Sequence, residues 1–160
     1  MKTFTPQEKA EYLAGRNRKL MSSTVIFLNE SDKVLILRTT YKKDWEVPGG
    51  GIEQDESPME AAVREVQEEL GITINRPDLL GVDYRHTSTE REEMMHFTFL
   101  GGVLSQKMID KIVLQQDEIE SFKFVSRHEL EALTGSRVSA RVARALTAIK
   151  SSSCVYWDSN

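Results

Sequence analysis

The sequence has few of the features of an exported or membrane-bound protein. It contains one cysteine, Cys154, which has no internal partner for a disulfide and suits a reducing compartment. No apolar run approaches the roughly 20 residues that a membrane-spanning helix needs. Residues 1–8 also lack the apolar core of an export signal. These absences lead us to expect a cytoplasmic protein with no membrane partner.

The sequence also lacks the positive charge that is typical of nucleic-acid-binding proteins. Its formal net charge of -4 offers no global field for nucleic acid, so an anionic partner would be held locally, by a metal ion or a few placed cations. Hydrophobic residues make up 39% and charged residues 29%, which is ordinary for a globular domain. No repeat or low-complexity segment interrupts the chain. We therefore expect a single domain over residues 1–160.

The N-terminal segment is predicted to be helical. Residues 5–8 form a capping box, with Thr5 as N-cap and Pro6 at the first helical position, and the helix is predicted to reach about Arg18. Residues 1–23 would then be an N-terminal helical extension. Two interpretations stay open for it, a solvated helix or an arm that packs on a partner subunit in a homodimer.

The rest of the chain is predicted to interleave strands and helices. Strands are predicted at residues 24–28, 33–38, 45–47, 79–84, 94–100 and 122–125, the first two as a hairpin. Helices are predicted at residues 57–71, 126–133 and 138–150, with a loop at 85–93, an irregular segment at 103–114 and a flexible tail at 151–160. This interleaving indicates an α/β domain with a mixed sheet.

The helix at residues 57–71 carries an unusual set of carboxylates. A capping box at residues 57–60 and the stop at Gly71 define its ends. Its apolar residues fall on one stripe, the predicted core face: Met59, Ala62, Val63, Val66 and Leu70. Glu65, Glu68 and Glu69 form a second stripe beside it, at i, i+3 and i+4. Like charges at this spacing repel, so three carboxylates bordering the core are better explained by a bound cation than by a solvated face.

The chemistry of these side chains indicates which cation. Carboxylate oxygens prefer hard ions, so we expect Mg²⁺, with Mn²⁺ as a substitute. No histidine or cysteine stands at zinc-like spacing in this helix. The three glycines at residues 49–51 precede the helix and allow the backbone to turn sharply and approach a ligand closely.

The glycine turn and the carboxylates stand in a register that resembles the Nudix box. The matching residues are Gly50, Glu56, Arg64, Glu65, Val66, Glu68, Glu69, Gly71 and Ile72. The box spans about a seventh of the chain, and no position in it departs from the pattern. The resemblance implies the Nudix α/β/α sandwich, with a mixed β-sheet between helices. It also implies a Mg²⁺-dependent pyrophosphohydrolase that cleaves a nucleoside diphosphate linked to another moiety, by attack of water at phosphorus.

The resemblance also implies roles for individual residues. Glu68 and Glu69 match the principal metal ligands, and Glu65 matches a further ligand or the group that activates water. The Gly50 carbonyl completes the coordination, and Arg64 orients Glu65. The predicted catalytic residues are thus Arg64, Glu65 and Glu68, and Glu56 supports the loop. In several relatives an acidic residue before the late strand joins the metal site, and Glu118 occupies that position here.

Several residues outside the box have two interpretations each. Arg38 ends a strand and is predicted to bind a substrate phosphate, with a surface cation as the alternative. Arg85 and His86, in the polar loop, could contact the leaving moiety or be solvated. His96 lies within a strand and is interpreted as a packed histidine. The arginines of the last helix are interpreted as solvated, with phosphate or RNA contact as the alternative: Arg137, Arg141 and Arg144.

The substrate and the alternative function stay open at this point. The alternative to an enzyme is a nucleotide- or metabolite-binding sensor without turnover, against which the intact carboxylate set argues. The proline of many ADP-ribose pyrophosphatases is missing from residues 85–88, and Tyr84 lies early for a dinucleoside polyphosphate hydrolase. A MutT-like nucleoside triphosphatase remains open. We expect a small nucleotide-type substrate and no nucleic acid partner.

Overall fold

The computed structural model describes residues 4–89 and 92–159. The helices of this part are α1 (Pro6–Ala14), α2 (Pro58–Leu70), α3 (Gln106–Ile109), α4 (Arg127–Leu133) and α5 (Ser136–Ser151). The strands are β1 (Leu20–Asn29), β2 (Val34–Thr39), β3 (Gly49–Gly51), β4 (Asp78–Arg85), β5 (Met94–Leu104), β6 (Ile119–Val125) and β7 (Val155–Ser159). None of the helices in these ranges has the length and apolarity to span a bilayer.

The strands form one mixed sheet in the order β6-β2-β1-β5-β4-β7, and the short strand β3 pairs with β1 away from this path. β1 is parallel to β5 and β4 is parallel to β7, whereas the β1–β2, β2–β6 and β4–β5 pairs are antiparallel. The mixed sheet and the β1–β2 pairing confirm two predictions from the sequence.

Helices cover both faces of the sheet, as expected for a sandwich. On one face, α2 packs Ala62, Val66 and Leu70 against a cluster that includes Phe27 of β1. On the other, α4 and α5 pack against a second cluster around Ile26. Alternate residues of a strand point to opposite faces, so neighbouring residues of β1 pack into different hydrophobic clusters. The predicted α/β/α sandwich with a mixed sheet is confirmed.

Several predicted boundaries are wrong. Residues 45–47 make only an isolated bridge, Leu37 to Glu46, and the third strand is the glycine segment Gly49–Gly51. The N-terminal helix ends at Ala14, and β1 already begins at Leu20 because its first residues pair with β5. The segment 103–114 is more regular than predicted, since β5 continues to Leu104 and α3 follows. The predicted loop begins one residue later, because Arg85 is the last residue of β4.

The predicted flexible tail is wrong as well. Residues Val155–Ser159 form β7, which pairs with β4 along its length, from Gly81 opposite Val155 to Arg85 opposite Ser159. Gly81 leaves room for the Trp157 ring, because a Cβ there would lie 2.2 Å from the ring atom Cζ3. Trp157 supplies the apolar contact that a short strand flanked by serines otherwise lacks. No local sequence pattern predicts this pairing.

The N-terminal helix has no buried residue. Tyr12 and Leu13 are exposed on it, and Phe4, which precedes it, is exposed as well. Whether it is a solvated helix or an arm toward a partner subunit stays a prediction, as does the homodimer.

Candidate active site

The carboxylates of α2 are positioned by the ends of the helix and by its core face. Ser57 accepts a hydrogen bond from the Glu60 backbone N–H, and the Glu60 carboxylate accepts one from the Ser57 N–H, which completes the predicted capping box. Gly71 ends the helix in the left-handed region at φ 66°. With Val66 and Leu70 fully buried, Glu65 and Glu69 lie at the edge of the core. This arrangement places them against the glycine turn.

The glycine turn approaches both β1 and Glu65 more closely than other residues could. Gly49 has φ +137°, and a Cβ there would lie 2.1 Å from the Ser23 carbonyl oxygen of β1. A Cβ on Gly50 would lie 2.2 Å from Oε1 of Glu65. Glycine at both positions is therefore a steric requirement of the fold and of the site.

Arg64 holds the outer carboxylates together. Its Nε and Nη2 donate to the two carboxylate oxygens of Glu56, at 2.8 and 3.0 Å. Its Nη1 donates to Glu65 at 2.9 Å and Glu68 at 3.0 Å, and Nη2 also donates to the Gly51 carbonyl at 3.0 Å. These contacts raise the pKa of Arg64 and lower that of Glu56. Arg64 thus fixes Glu65 in place, in agreement with the orienting role implied by the resemblance.

Glu69 lies innermost, and its hydrogen-bond partner in the described part of the chain is a backbone N–H and not a cationic side chain. Its side chain is buried, with 7% of the residue exposed, and one oxygen accepts a hydrogen bond from the Gly49 N–H at 2.8 Å. Burial raises the pKa of Glu69 to about 8, against the effect of that hydrogen bond, and the charges of Glu65 and Glu118 raise it further. Burial likewise raises the pKa of Glu65, although Arg64 acts in the opposite direction. Both groups are in environments that disfavour their charged form in the absence of a cation.

Glu118 comes from a distant segment that docks on the end of α2. The Val113 N–H donates to the Leu70 carbonyl at 2.9 Å, and the Glu118 carbonyl accepts from the Thr40 N–H at 2.9 Å. The charge of Glu118 contributes to the raised pKa of both Glu65 and Glu69, which places it in the same electrostatic environment. Glu118 therefore lies near the carboxylates of α2, and its role as a metal ligand stays a prediction.

The carboxylates fit a hard divalent cation by their chemistry. They are oxygen donors, they repel one another, and two of them have raised pKa values that a cation would lower again. As the side chains stand in residues 4–89 and 92–159, no three Asp, Glu, His or Cys groups converge closely enough to hold a metal ion. Arg64 draws Glu65 and Glu68 outward while Glu69 turns to the Gly49 N–H. Binding a cation would thus require these side chains to rotate inward.

A cavity of about 410 Å³ opens beside the glycine turn. Gly49, Gly50 and Glu69 line one end, and Lys42 and Arg137 contribute cationic side chains. Its volume lies in the range typical of small-molecule sites, roughly 300 to 1,000 Å³. The candidate site can therefore accommodate a small molecule next to the buried carboxylate.

The two arginines predicted to bind substrate have different placements. Arg38 forms an ion pair with Glu120 at 3.7 Å and donates to the Lys43 carbonyl, and it does not line the cavity beside the glycine turn. Arg85 lines a second cavity of about 420 Å³, which adjoins the first. The structure thus brings Arg85, but not Arg38, toward the candidate site.

The interpretation of the arginines of α5 as solvated is wrong for Arg141. Arg137 is exposed, but the Nε of Arg141 is buried and has no hydrogen-bond partner. Burial lowers the pKa of Arg141 to about 10, although the charges of Asp83 and Glu46 act in the opposite direction. The helical spacing alone does not reveal this, because it does not show that α5 packs against β4 in the folded chain.

His96 is packed, as predicted. It is 7% exposed, its Nδ1 lies 2.5 Å from Ser22 Oγ, and its Nε2 lies 3.0 Å from Thr24 Oγ1. Burial lowers its pKa well below the ordinary value, with the nearby charges of Arg141 and Arg85 acting in the same direction. The ring is therefore neutral, and it lies in the wall shared by the two cavities.

Comparisons with known proteins agree with this geometry. The NUDIX domain family matches residues 19–146. Diphosphoinositol polyphosphate phosphohydrolase 2 of Homo sapiens is 33% identical over 101 residues, which cover 62% of this chain and 53% of that protein. A Nudix hydrolase of Listeria monocytogenes is 31% identical over 134 residues, covering 80% of this chain and 75% of the relative. The match thus spans about half the length of the human relative.

A solved structure shows the same fold. The crystal structure of a UDP-X diphosphatase superposes with a TM-score of 0.73 over 98% of this chain and 76% of that chain, at 20% sequence identity. The family match covers most of the chain, and the residues of the box meet in one site between α2, β3 and the segment that carries Glu118. The chain belongs to the NUDIX domain family.

Proposed function

We propose that the protein is a Mg²⁺-dependent pyrophosphohydrolase that cleaves a nucleoside diphosphate linked to another moiety. The observation that carries the proposal is the buried carboxylate of Glu69, with a raised pKa, at the end of a cavity beside a glycine turn. Perturbed carboxylates in a cavity are typical of catalytic sites. Names of relatives such as the human phosphohydrolase support the reaction class.

The residues that would hold Mg²⁺, or Mn²⁺ in its place, are Glu65, Glu68, Glu69, Glu118 and the Gly50 carbonyl. A bound divalent cation neutralises diphosphate oxygens and lowers the pKa of a coordinated water. The carboxylates alone would repel a diphosphate, so they become a binding site for it only together with the cation.

Individual side chains of this chain then have distinct tasks. Glu65 is the group we assign to accept the proton of the attacking water, because it lies against the Gly50 backbone of the glycine turn and Arg64 holds its carboxylate in a fixed orientation. Arg64 holds Glu65 through Nη1 and is a positioning residue for it. Glu56 anchors Arg64 by two hydrogen bonds, so the whole arrangement is set by the loop before α2.

The test is a panel of nucleoside diphosphate derivatives incubated with Mg²⁺, with product identification by mass spectrometry in ¹⁸O-labelled water. The panel includes nucleoside triphosphates, nucleotide sugars, ADP-ribose and dinucleoside polyphosphates. We expect turnover of at least one compound, label incorporation into a phosphate product, and loss of turnover with a chelator. Binding without product across the panel, with either Mg²⁺ or Mn²⁺, would instead favour a sensor.

A further inference from the structure

The second cavity has a strongly cationic lining. Four of its twelve lining residues are arginines, namely Arg85, Arg137, Arg141 and Arg144, and one, Asp83, is a carboxylate. We call this group of residues the arginine cavity. The chain as a whole has a net charge of -4, so this concentration of positive charge is local and runs against the overall balance.

The arginines converge from separate parts of the chain. Arg85 ends β4, while the other three follow one another at four- and three-residue steps along α5, which places them on one face of that helix. The C-terminal strand closes the cavity with Ser159. The arrangement therefore depends on the tertiary fold and on β7.

The single carboxylate of the cavity is already engaged. One oxygen of Asp83 accepts a hydrogen bond from Ser159 Oγ at 2.5 Å, and the other lies 3.6 Å from Nη1 of Arg144. Arg144 Nη1 also donates to Ser159 Oγ at 3.2 Å. Asp83 thus pairs with Arg144 and leaves the charge of Arg141 without a bound carboxylate in the described part of the chain.

Two buried guanidinium nitrogens are left unpaired. Among the residues that the structure describes, neither Arg85 nor Arg141 has a hydrogen-bond partner for its buried Nε, although Arg85 Nη2 donates to the Glu92 carbonyl at 3.2 Å. An unpaired donor on a charged group is costly to bury. An anion in the cavity would supply the missing acceptor and the missing charge.

The arginine cavity adjoins the cavity beside the glycine turn. His96, Ser136, Arg137 and Arg141 line both. A ligand whose diphosphate lies at Glu69 can therefore extend past His96 and reach Arg141 with another part of the same molecule.

We infer that the arginine cavity binds a phosphate group that the substrate carries outside the diphosphate to be cleaved. The substrate class is then a small diphosphate compound with at least one further phosphate. Phosphate matches the planar donor fork of arginine and carries more charge than a single carboxylate. The inference rests on the proposed function for the identity of the ligand, but the anion site can be tested separately.

The first test measures binding without catalysis. Inositol hexakisphosphate, which has many phosphates and no diphosphate bond, is titrated into the chelator-treated protein by calorimetry. We expect saturable binding that weakens at higher salt, and Arg141→Gln should weaken it at least about tenfold, the value of one charged hydrogen bond. Arg127→Gln is the matched control, because Arg127 is exposed on α4 and lies outside the cavity.

A second variant keeps this test decisive. Arg85→Gln removes a cavity arginine on a different element and should weaken binding in the same way if Arg141→Gln fails to fold. Arg141→Lys keeps the positive charge but not the planar donor fork, so its affinity should lie between those of wild type and Arg141→Gln. No saturable binding by wild type, or equal binding by wild type and both glutamine variants, would overturn the inference.

The second test measures catalysis on matched substrates. NADPH and NADH differ by one phosphate, as do coenzyme A and dephospho-coenzyme A, and each pair shares the same diphosphate. We expect wild type to prefer the phosphorylated member by about tenfold or more in kcat/KM, mainly through KM, and Arg141→Gln to lose that preference.

The outcomes separate the two proposals. Hydrolysis without any preference, together with no hexakisphosphate binding, overturns the arginine cavity inference and leaves the proposed function intact. Hexakisphosphate binding without hydrolysis of any diphosphate overturns the proposed function and leaves the anion site of the arginine cavity intact. Preferential turnover of a 5′-triphosphorylated RNA over every small compound would overturn the assignment to a small molecule.

Discussion

The carboxylate site on α2 and the arginine cavity balance their charges in opposite ways. In the carboxylate site, Arg64 is bound to Glu56, Glu65 and Glu68, so most of the acidic charge has a partner within the chain. In the arginine cavity, four arginines face one aspartate, and Arg141 has no partner in the described residues. No cationic side chain of the described residues forms an ion pair with Glu69 in the first site, and no carboxylate of those residues is bound to Arg141 in the second. A substrate that is anionic at two places, together with a metal ion, would satisfy both.

The two sites also differ in how they are assembled. The glycine turn and the α2 carboxylates lie within residues 49–69, on one strand and the next helix. The arginine cavity takes residues from β4, β5, α5 and β7. The glycine turn and the α2 carboxylates thus come from one continuous segment, to which a distant segment adds Glu118, whereas the arginine cavity depends on the packing of four elements.

The largest expected effect comes from removing one of the two predicted principal metal ligands. Glu69→Gln or Glu68→Gln should reduce Mg²⁺-dependent turnover by more than about 100-fold, since even residues one step removed from a metal are worth roughly 10- to 100-fold. The melting temperature of Glu69→Gln should stay nearly unchanged or rise, because glutamine cannot become charged at this buried position, and that of Glu68→Gln should change little, because Glu68 is exposed. Steady-state kinetics and thermal unfolding measure the two effects.

The same variants also test whether the two sites bind their ligands independently. Glu69→Gln should bind inositol hexakisphosphate as wild type does, because the arginine cavity lies beyond His96. Glu53→Gln is the control for turnover, since Glu53 is exposed in the loop before α2. Wild-type activity in Glu68→Gln and Glu69→Gln would remove the carboxylate site from the mechanism.

The next effect separates the three glycines of the turn. Gly49→Ala meets the Ser23 backbone at 2.1 Å and requires a left-handed φ of +137°, so it should lose about 3 kcal/mol of unfolding free energy. Gly50→Ala meets only the end of the Glu65 side chain, so it should lose activity more than stability. Gly51→Ala meets nothing within 4 Å and should keep wild-type stability. Urea unfolding and kinetics of all three check this order.

A result in which the three variants are equally unstable would contradict this account. Such a result would mean that all three glycines are needed for stability and that Gly50 has no separate effect on Glu65. No comparable set of turn substitutions exists for the arginine cavity, because no single turn positions its residues.

The carboxylate site was predictable because its information is local. Helical spacing places Glu65, Glu68 and Glu69 on one stripe, and the capping box at Ser57 sets the register of that stripe. The position of Glu118 needed a family resemblance, because a loop docks it on α2 through backbone hydrogen bonds that no side-chain pattern encodes.

The burial of Arg141 and the strand β7 were missed for the converse reason. Residues 155–159 look polar and short, and they become a strand only because β4 offers an unpaired edge and Gly81 leaves room for Trp157. Arg141 follows the spacing of solvated residues on α5, yet neighbouring elements cover its Nε. Whether a cation at the border of a helix is solvated depends on which element packs there, and this is a property of the tertiary fold.

A smaller effect contrasts the two key arginines. Arg64→Lys cannot reproduce the contacts to Glu56, Glu65 and Gly51, so it should cost about 2 kcal/mol of unfolding free energy. Arg141→Lys should cost less, because no hydrogen bond to Nε is lost. Urea unfolding of both variants without ligand tests the difference, and an equal loss would mean that Arg141 already has a structural partner.

Per pH unit, the smallest effect is a pH dependence that belongs to the carboxylate site alone. Burial raises the pKa of Glu69 from 4.5 to about 8, so the folded, metal-free protein holds a proton that the unfolded chain releases. Stability is therefore greatest at low pH for this group and falls as pH rises from 4.5 toward 8, by up to about 1.4 kcal/mol per pH unit. Arg141, with a pKa of about 10, stays charged throughout this range.

The useful window for the measurement is set by His96. Because burial lowers its pKa, its stabilising contribution is complete above 6.5 and is lost as pH falls below that value, so the experiment runs from pH 6.5 to 8. Urea unfolding with a chelator should give a falling slope for wild type and a flatter one for Glu69→Gln. Added Mg²⁺ should flatten the wild-type slope as well, because a bound cation takes the place of the proton. Parallel slopes for wild type and Glu69→Gln would assign the titrating proton to another group, with Glu65 next to be replaced.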